Sequence, residues 1–387
     1  MQFSLVFEAQ LADPSAENER QTLNDCVEQA VEAERVGFDR IWAVEHHSLR
    51  WYAHMSAPEV FLSFVAAKTS HIRLGHGVVC MPFAYNHPVR VGERAAMLDV
   101  LSGGRLDLGA GRGGTEQETS LFGIDRAVTA AQVEEALRMI SSMWREDSFA
   151  WNGDELHFAP HPIVPRPIQL PHPPLFLACS HRETLEKAAA LGVGALVFGF
   201  GGPPEIAEFR ELYDKARSTR DISLCVSDRI TDHLAALCPA IVLEDGAEAR
   251  RIGARGQRFF SEAIDHWYQG RPEPIEGTDH DDDEGALAIA HAGLRDRLER
   301  MHVQYTPSHG MVYRPSPAFG DAASASRYVG ELGDAGADEV MFLVQMGTVS
   351  HAVCMETIRR LGKEVIPQFR SEESNREVAP CRKRNDD

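Results

Sequence analysis

Arg105-Leu-Asp-Leu-Gly-Ala-Gly-Arg-Gly-Gly114 is the stretch on which the choice of fold turns. Its first part, Arg105–Ala110, is a strand-like apolar run, and Gly109-Ala-Gly-Arg-Gly-Gly114 then matches G-x-G-x-x-G. A dinucleotide-binding fingerprint needs to follow the first strand of its unit, with a helix opening directly on the glycines. Here three strand-like runs precede it, Thr115-Glu-Gln-Glu-Thr119 follows, and the next good N-cap is Thr129. The glycines then read as backbone that lets a flat ligand come close, with Arg112 supplying charge for a phosphate. A plain tight turn after a strand is the structural alternative.

Outward from this stretch, apolar runs alternate with amphipathic segments along the whole chain. The runs are Gln2–Glu8, Asp39–Glu45, Ile72–Cys80, Arg105–Ala110, Pro174–Cys179, Ala195–Phe200, Ile222–Ser227 and Glu339–Gln345. Between the first two, Leu23, Val27, Ala30 and Val31 repeat at helical spacing up to Gly37. Ser56-Ala-Pro-Glu59, Thr129-Ala-Ala-Gln132 and Ser180-His-Arg-Glu183 have the form of capping boxes. Gly103-Gly104 and Gly192 sit where helix C-caps are expected. Continuous apolar strands alternating with helices imply a parallel sheet covered by helices. Eight such units favour a closed (β/α)₈ TIM barrel, an α/β fold, over the competing open sheet.

The chain's 387 residues exceed a minimal barrel by about 130. Three segments outside the βα rhythm absorb the excess within one expected domain over 1–369. Trp144–Pro173 leads into seven prolines between Pro160 and Pro174, a stiff connector unfit for a helix or a central strand. Residues 270–323 contain Asp279-His-Asp-Asp-Asp-Glu284, whose self-repulsion predicts an exposed, mobile loop. Residues 370–387 are polar and aperiodic, a loose tail.

A formal net charge of −19, from 39 basic and 58 acidic residues, sets nucleic acid and anionic membrane surfaces aside as partners. No run of eighteen apolar residues exists, and Met1–Phe7 lacks the basic region of a signal peptide. The seven cysteines are scattered, without C-x-x-C pairs, as expected of a cytoplasmic protein with neither disulfides nor a zinc site.

Glu45-His46-His47 ends the second run, at the strand end where a barrel carries its active site. Neighbouring strand side chains point to opposite sides, so the two histidines are not expected to share a metal ion. The pair is read either as hydrogen-bonded strand-end residues or as a proton donor and acceptor near neutral pH. Ser180 opens the helix after the fifth run. As its N-cap it would sit where free N–H groups suit a phosphate, with Thr184 one turn on adding a hydroxyl. His266-Trp-Tyr268 reads as core or interface packing rather than a cofactor contact. Cys80 and Cys179, on strands, have no basic neighbour that would make them reactive.

In this order the motifs resemble the bacterial luciferase-like flavin-dependent monooxygenases, over Phe3 to about Phe369. The landmarks are Gly37-Phe-Asp39 with Trp42-Ala-Val-Glu-His-His47, Ile72-Arg-Leu-Gly75, His87-Pro-Val-Arg90 and Ser102-Gly-Gly-Arg105. Gly109-Ala-Gly-Arg-Gly113, Phe122-Gly123, Pro165-Arg-Pro167, Pro171-His-Pro-Pro174 and His266-Trp-Tyr268 complete them.

The resemblance implies FMN as cofactor, delivered reduced by a separate flavin reductase, and a flavin peroxide that oxidises an aldehyde, ketone or similar small organic substrate. Baeyer–Villiger oxidation is the first choice. A deazaflavin-dependent oxidoreductase and a non-catalytic flavin-binding relative are the alternatives. His46 matches the catalytic histidine, and Arg112 the phosphate-holding arginine, beside Ser180, Thr184 and the backbone at Cys179. Val44, Glu45, Val78 and Leu177 match flavin-lining positions, and Gly77–Val78 falls where the family often has a cis peptide. Gly111 stands in place of luciferase's reactive cysteine, and Cys179 in place of its phosphate-side glutamate. Arg126 is only near the second phosphate arginine, and luciferase's tryptophan has no counterpart at Phe198-Gly199-Phe200. The family implies a homodimer, and the insertion at 270–323 is expected to cover the bound flavin.

Overall fold

The computed structural model describes residues 1–270, 273–274 and 315–370. Strands β1 (Gln2–Phe7), β2 (Arg40–Ala43), β3 (Arg73–Cys80) and β4 (Leu106–Gly111) form where continuous apolar runs can be buried on both faces. A hairpin, β5 (Phe149–Asn152) and β6 (His157–His161), stands apart from them. Strands β7 (Leu175–Cys179), β8 (Gly194–Val197) and β9 (Leu234–Pro239) follow. A short pair, β10 (Ile241–Val242) with β11 (Phe319–Gly320), precedes β12 (Glu339–Leu343). The barrel closes in the order β1-β12-β9-β8-β7-β4-β3-β2, every pairing parallel.

Helices α1 (Ala16–Arg35), α2 (Pro58–Ala66), α3 (Pro88–Ser102), α4 (Glu116–Leu121) and α5 (Thr129–Met143) occupy the first half of the chain. Then come α6 (Arg182–Leu191), α7 (Pro203–Ser218), α8 (Gly246–Gln269), α9 (Ala322–Asp334) and α10 (His351–Arg360). The C-caps Gly103 and Gly192 take left-handed φ of 72° and 74°, as their glycines anticipate.

Several expectations are corrected. The seventh strand is Leu234–Pro239, not Ile222–Ser227. Ile222–Leu224 is one 3-10 turn started by Asp221, with Ile222 and Leu224 well exposed, whereas every residue of β9 is buried. The open sheet is excluded by closure. The Pro-rich connector holds the β5–β6 hairpin, neither strand of which joins the barrel, in keeping with a segment unfit for a central strand. The insertion expected over 270–323 ends earlier, because Phe319–Gly320 pairs with Ile241–Val242 and Ala322 opens α9. Most of that insertion, with its acidic run and the cover role expected of it, lies outside the described residues. So does the tail beyond Arg370. Arg370 itself belongs to the folded body, pairing with Asp39 at 2.8 Å.

The N-terminal end of the barrel is plugged by buried charge. Arg40 pairs with Asp107 at 2.7 Å and with Glu339, and Arg73 reaches Asp107 at 2.7 Å. Glu339 also accepts from Trp42 Nε1 and meets His233 Nε2, each at 2.8 Å. Burial raises the Glu339 carboxyl, but Arg40 and His233 outweigh it and hold it at about 2. Above the plug the Trp42 ring fills the barrel against Phe176 at 5.1 Å. Gly75 makes room for it, since a Cβ there would lie 2.1 Å from the ring.

Breaking a buried charge network from one side leaves the other side unpaired. Glu339→Ala is therefore expected to destabilise the protein by about 3–5 kcal/mol in urea unfolding. A loss under about 1 kcal/mol would remove the network from the account of stability.

Candidate active site

With one end plugged, the strands' C-terminal ends carry the open site. They surround a cavity of about 920 Å³, within the usual range for a ligand site. The eleven residues singled out in the sequence converge on its wall. Val44, Glu45 and His46 come from the end of β2, Gly77 and Val78 from β3, and Gly111 and Arg112 from β4. Leu177, Cys179 and Ser180 come from β7, and Thr184 from the first turn of α6. Tyr268 packs edge-on against Tyr52 at 6.5 Å and also lines the cavity. Trp267 does pack, donating from Nε1 to the Arg50 carbonyl at 2.6 Å.

His46 and His47 part as strand neighbours should. His47 Nε2 meets Glu45 Oε1 at 3.0 Å. His46 turns to Glu118, with Nδ1 3.0 Å from Oε1, and the same oxygen accepts the His47 backbone N–H at 3.0 Å. Glu118 was not anticipated. Its other oxygen takes the backbone N–H and the hydroxyl of Thr115, at 3.1 and 2.8 Å, while Thr115 Oγ1 accepts the Glu118 N–H. This is a capping box, and it opens α4 directly behind the glycines. Thr115-Glu-Gln-Glu118 carried that signal in the sequence. The three boxes expected elsewhere do not form: α2 is capped at Ala57, α5 at Val128 and α6 at His181, the last with Thr184.

Burial pushes the Glu118 carboxyl up, yet His46, the His47 N–H and Thr115 bring it down to about 2. Ionised, Glu118 only accepts hydrogen bonds, so His46 Nδ1 carries a proton and Nε2 is the nitrogen available to act. Burial alone would lower the His46 pKa. The hydrogen bond to Glu118 and the charges of Glu8, Glu118 and Glu45 outweigh it and raise it.

Also on the cavity wall, Arg112 is exposed and has no carboxylate partner among the described residues, whereas Lys187 pairs with Glu134 and Arg182 with Glu208. Ser180 precedes the N-cap instead of forming it, and the Thr184 hydroxyl is used locally, donating to the His181 carbonyl at 2.8 Å. Arg126 reaches the Gly114 carbonyl at 3.4 Å and borders the cavity. The Gly77–Val78 peptide is cis. A Cβ on Gly111 would fall 2.3 Å from Val78 Cγ2, so Val78 occupies the room a side chain at 111 would need. Cys80 and Cys179 are buried, and burial pushes both thiols up.

The model of the luciferase-like monooxygenases matches residues 1–310. The chain belongs to that family. This luciferase-like chain is 26% identical, over 98% of both chains, to the oxygenase component of the flavin-dependent trigonelline monooxygenase of Acinetobacter baylyi. Monooxygenase RslO1 of Streptomyces bottropensis shares its fold, with a TM-score of 0.75 and 23% identity, covering 96% of this chain and all of that one. So does the oxygenating constituent of 3,6-diketocamphane monooxygenase from Pseudomonas putida, a type II Baeyer–Villiger enzyme in complex with FMN. Its TM-score is 0.72 at 18% identity, over 95% of this chain and 98% of that one. F420-dependent enzymes are also among the matches of this luciferase-like chain. Several of its relatives are named monooxygenases, and it is an enzyme of the luciferase-like oxidoreductases.

The His46–Glu118 pair sets a pH dependence. Glu118, held below its ordinary 4.5, contributes stability that is present above that value and lost as pH falls toward about 2. His46, raised from 6.5, contributes below that value and loses it as pH rises through its folded pKa. Glu118→Gln should flatten the acid limb of unfolding free energy against pH, by about 2–3 kcal/mol between the two Glu118 values. It should also lower the His46 titration midpoint. An unchanged acid limb would contradict the pairing.

Proposed function

We propose that this chain is the oxygenase component of a two-component, FMN-dependent monooxygenase acting on an aldehyde, ketone or similar small organic substrate, with Baeyer–Villiger oxidation as the reaction. The observation that carries the reading is the fixed imidazole of His46 in the wall of a 920 Å³ cavity that Arg112 and the start of α6 also line. The residues suit FMN. The apolar side chains of the wall suit a flat ring, and Arg112, without a carboxylate partner among the described residues, lines the same cavity as the first turn of α6 and suits a phosphate. FMN, bound in its reduced form, supplies the electrons and the activation of O2 from which one oxygen atom reaches the substrate.

The chain's own residues do the rest. Val44, Val78, Leu177 and Leu196 give the cavity apolar walls that keep water from the reacting atoms. Glu118 fixes the ring of His46, whose Nε2 holds or moves a proton at the developing oxygen charge. The relatives' names support an oxygenase served by a separate flavin reductase, and the FMN complex of the Pseudomonas enzyme supports the cofactor. The F420-dependent matches support a second reading, a deazaflavin-dependent oxidoreductase working without oxygen.

Purified protein supplied with FMN, a flavin reductase, NADH, O2 and candidate carbonyls should form oxygenated product. Anaerobic turnover with F420 in its place would favour the second reading. His46→Ala should bind FMN nearly as well and lower product formation by about 10²-fold. Full turnover in that variant would end the role given to His46.

We also propose a homodimer built on α2 and α3. Val60 and Phe64 on α2, with Met97, Val100 and Leu101 on α3, expose large apolar side chains on adjacent helices, a face that suits a second copy. Light scattering at micromolar concentration should give twice the chain mass, falling to one chain mass in the double variant Phe64→Glu, Leu101→Glu. A monomeric parent protein would refute the interface.

A further inference from the structure

Glu8 has no part in the reading so far, and nothing in its own strand explains a carboxyl there. It follows the last residue of β1, is 5% exposed, and lines the same cavity. Its Oε2 is buried without a hydrogen-bond partner among the described residues. A polar atom left in that state costs free energy, and an apolar side chain would pack in its place without the cost. The nearest charged group is His46, whose Nε2, the nitrogen Glu118 leaves available, lies 4.0 Å from Oε2. The groups facing Glu8 come from four directions. They are His46 from the end of β2, Tyr52 from the segment after it, Glu118 from α4 and Tyr268 from α8.

We propose that Glu8 is the proton-holding partner of His46, so that one proton passes between Glu8 Oε2 and His46 Nε2 and is delivered through the imidazole to a ligand in the cavity. Glu8 is thus a positioning residue that acts through His46. Two arrangements conserve the proton and the charge of the pair. In one, Glu8 is a neutral acid and His46 a neutral imidazole protonated on Nδ1. In the other, the proton has left Oε2 for Nε2, and the imidazolium lies between two carboxylates. From the second arrangement Nε2–H gives the shared proton to an oxygen of the ligand, leaving a neutral imidazole protonated on Nδ1 and the Glu8 carboxylate, which takes up a new proton from solvent and so restores the first arrangement.

The electrostatics agree with the geometry. Burial raises the Glu8 carboxyl, His46 lowers it, Glu118 raises it again and a hydrogen bond from Tyr52 lowers it, leaving it at about 7, where it can both give and take a proton. The 4.0 Å separation exceeds a direct hydrogen bond. A small ring movement or one intervening water closes such a gap, and ligand-free sites are commonly long in this way. Delivery to a ligand rests on the proposed oxygenase reading, whereas the shared proton does not.

The test begins on the ligand-free protein. Carbon-13 labelling of glutamate carboxyls and nitrogen-15 labelling of imidazoles allow Glu8 and His46 to be titrated by NMR. The expected result is that both signals move in one coupled step near pH 7. In Glu8→Gln that step is lost and the His46 midpoint falls, because a negative neighbour has gone. Glu8→Asp, which keeps a carboxylate, restores a coupled step. A Glu8 midpoint in the ordinary carboxylate range, or a His46 curve unchanged by Glu8→Gln, overturns the proposal. If Glu8→Gln does not fold, the parent protein's Glu8 titration decides alone. In the FMN assay, Glu8→Gln should remove the neutral-pH limb of kcat/KM with little change in KM, and an unaltered pH profile counts against the relay. Absence of product with the coupled titration intact would refute the oxygenase reading and leave the shared proton standing.

Discussion

One buried carboxylate holds the site together. Glu118 caps α4 through Thr115, receives the His47 N–H and fixes the imidazole of His46. These contacts tie the segment after β4 to the segment after β2, so the loop behind the glycines and His46 cannot move independently. Four donors on a single carboxylate also explain why it stays ionised at a position with no exposure. The usual cost of burying a charge is offset because each oxygen is used twice.

The barrel divides its charges by end. At the N-terminal end Arg40, Arg73, Asp107, Glu339 and His233 satisfy one another and face no cavity. At the C-terminal end the sums are left incomplete. Among the described residues, Arg112 lacks a carboxylate and Glu8 Oε2 lacks a donor. Strand ends that close on themselves serve stability, and strand ends left open are where a ligand can complete the bonding. Trp42 separates the two regimes, bonded to Glu339 below and bordering the cavity above.

Much of this was legible because barrel strands are buried on both faces and read as unbroken apolar runs. Their ends point to Glu45, His46 and Arg112, the family resemblance adds Val44, Gly77 and Leu177, and all of them line one cavity. Strand β9 escaped because Leu234-Ala-Ala-Leu237 is poor in branched side chains, while the better-looking Ile222 is exposed. Glu118 and Glu8 escaped for another reason. Glu118 acts on a histidine 72 positions away, and proximity across a closed barrel leaves no spacing to read. The cap at Thr115 was visible in sequence, but the glycine motif before it drew attention to whether a long helix followed.

The aliphatic contact between Val78 and Gly111 bears on the chemistry of the whole cavity. Luciferase carries a reactive cysteine at the position of Gly111, and here the space is filled by Val78 Cγ2, which a Cβ at 111 would meet at 2.3 Å. The thiols that remain near the ligand space, Cys80 and Cys179, are buried and pushed up in pKa by that burial, so they stay protonated. The thiolate is the form that oxidants and electrophiles attack, and neither residue offers it. With the thiols held protonated, the imidazole of His46 and the carboxyl of Glu8 are groups on the wall that can exchange protons. That arrangement suits a site in which activated oxygen must reach the substrate before it reaches the protein.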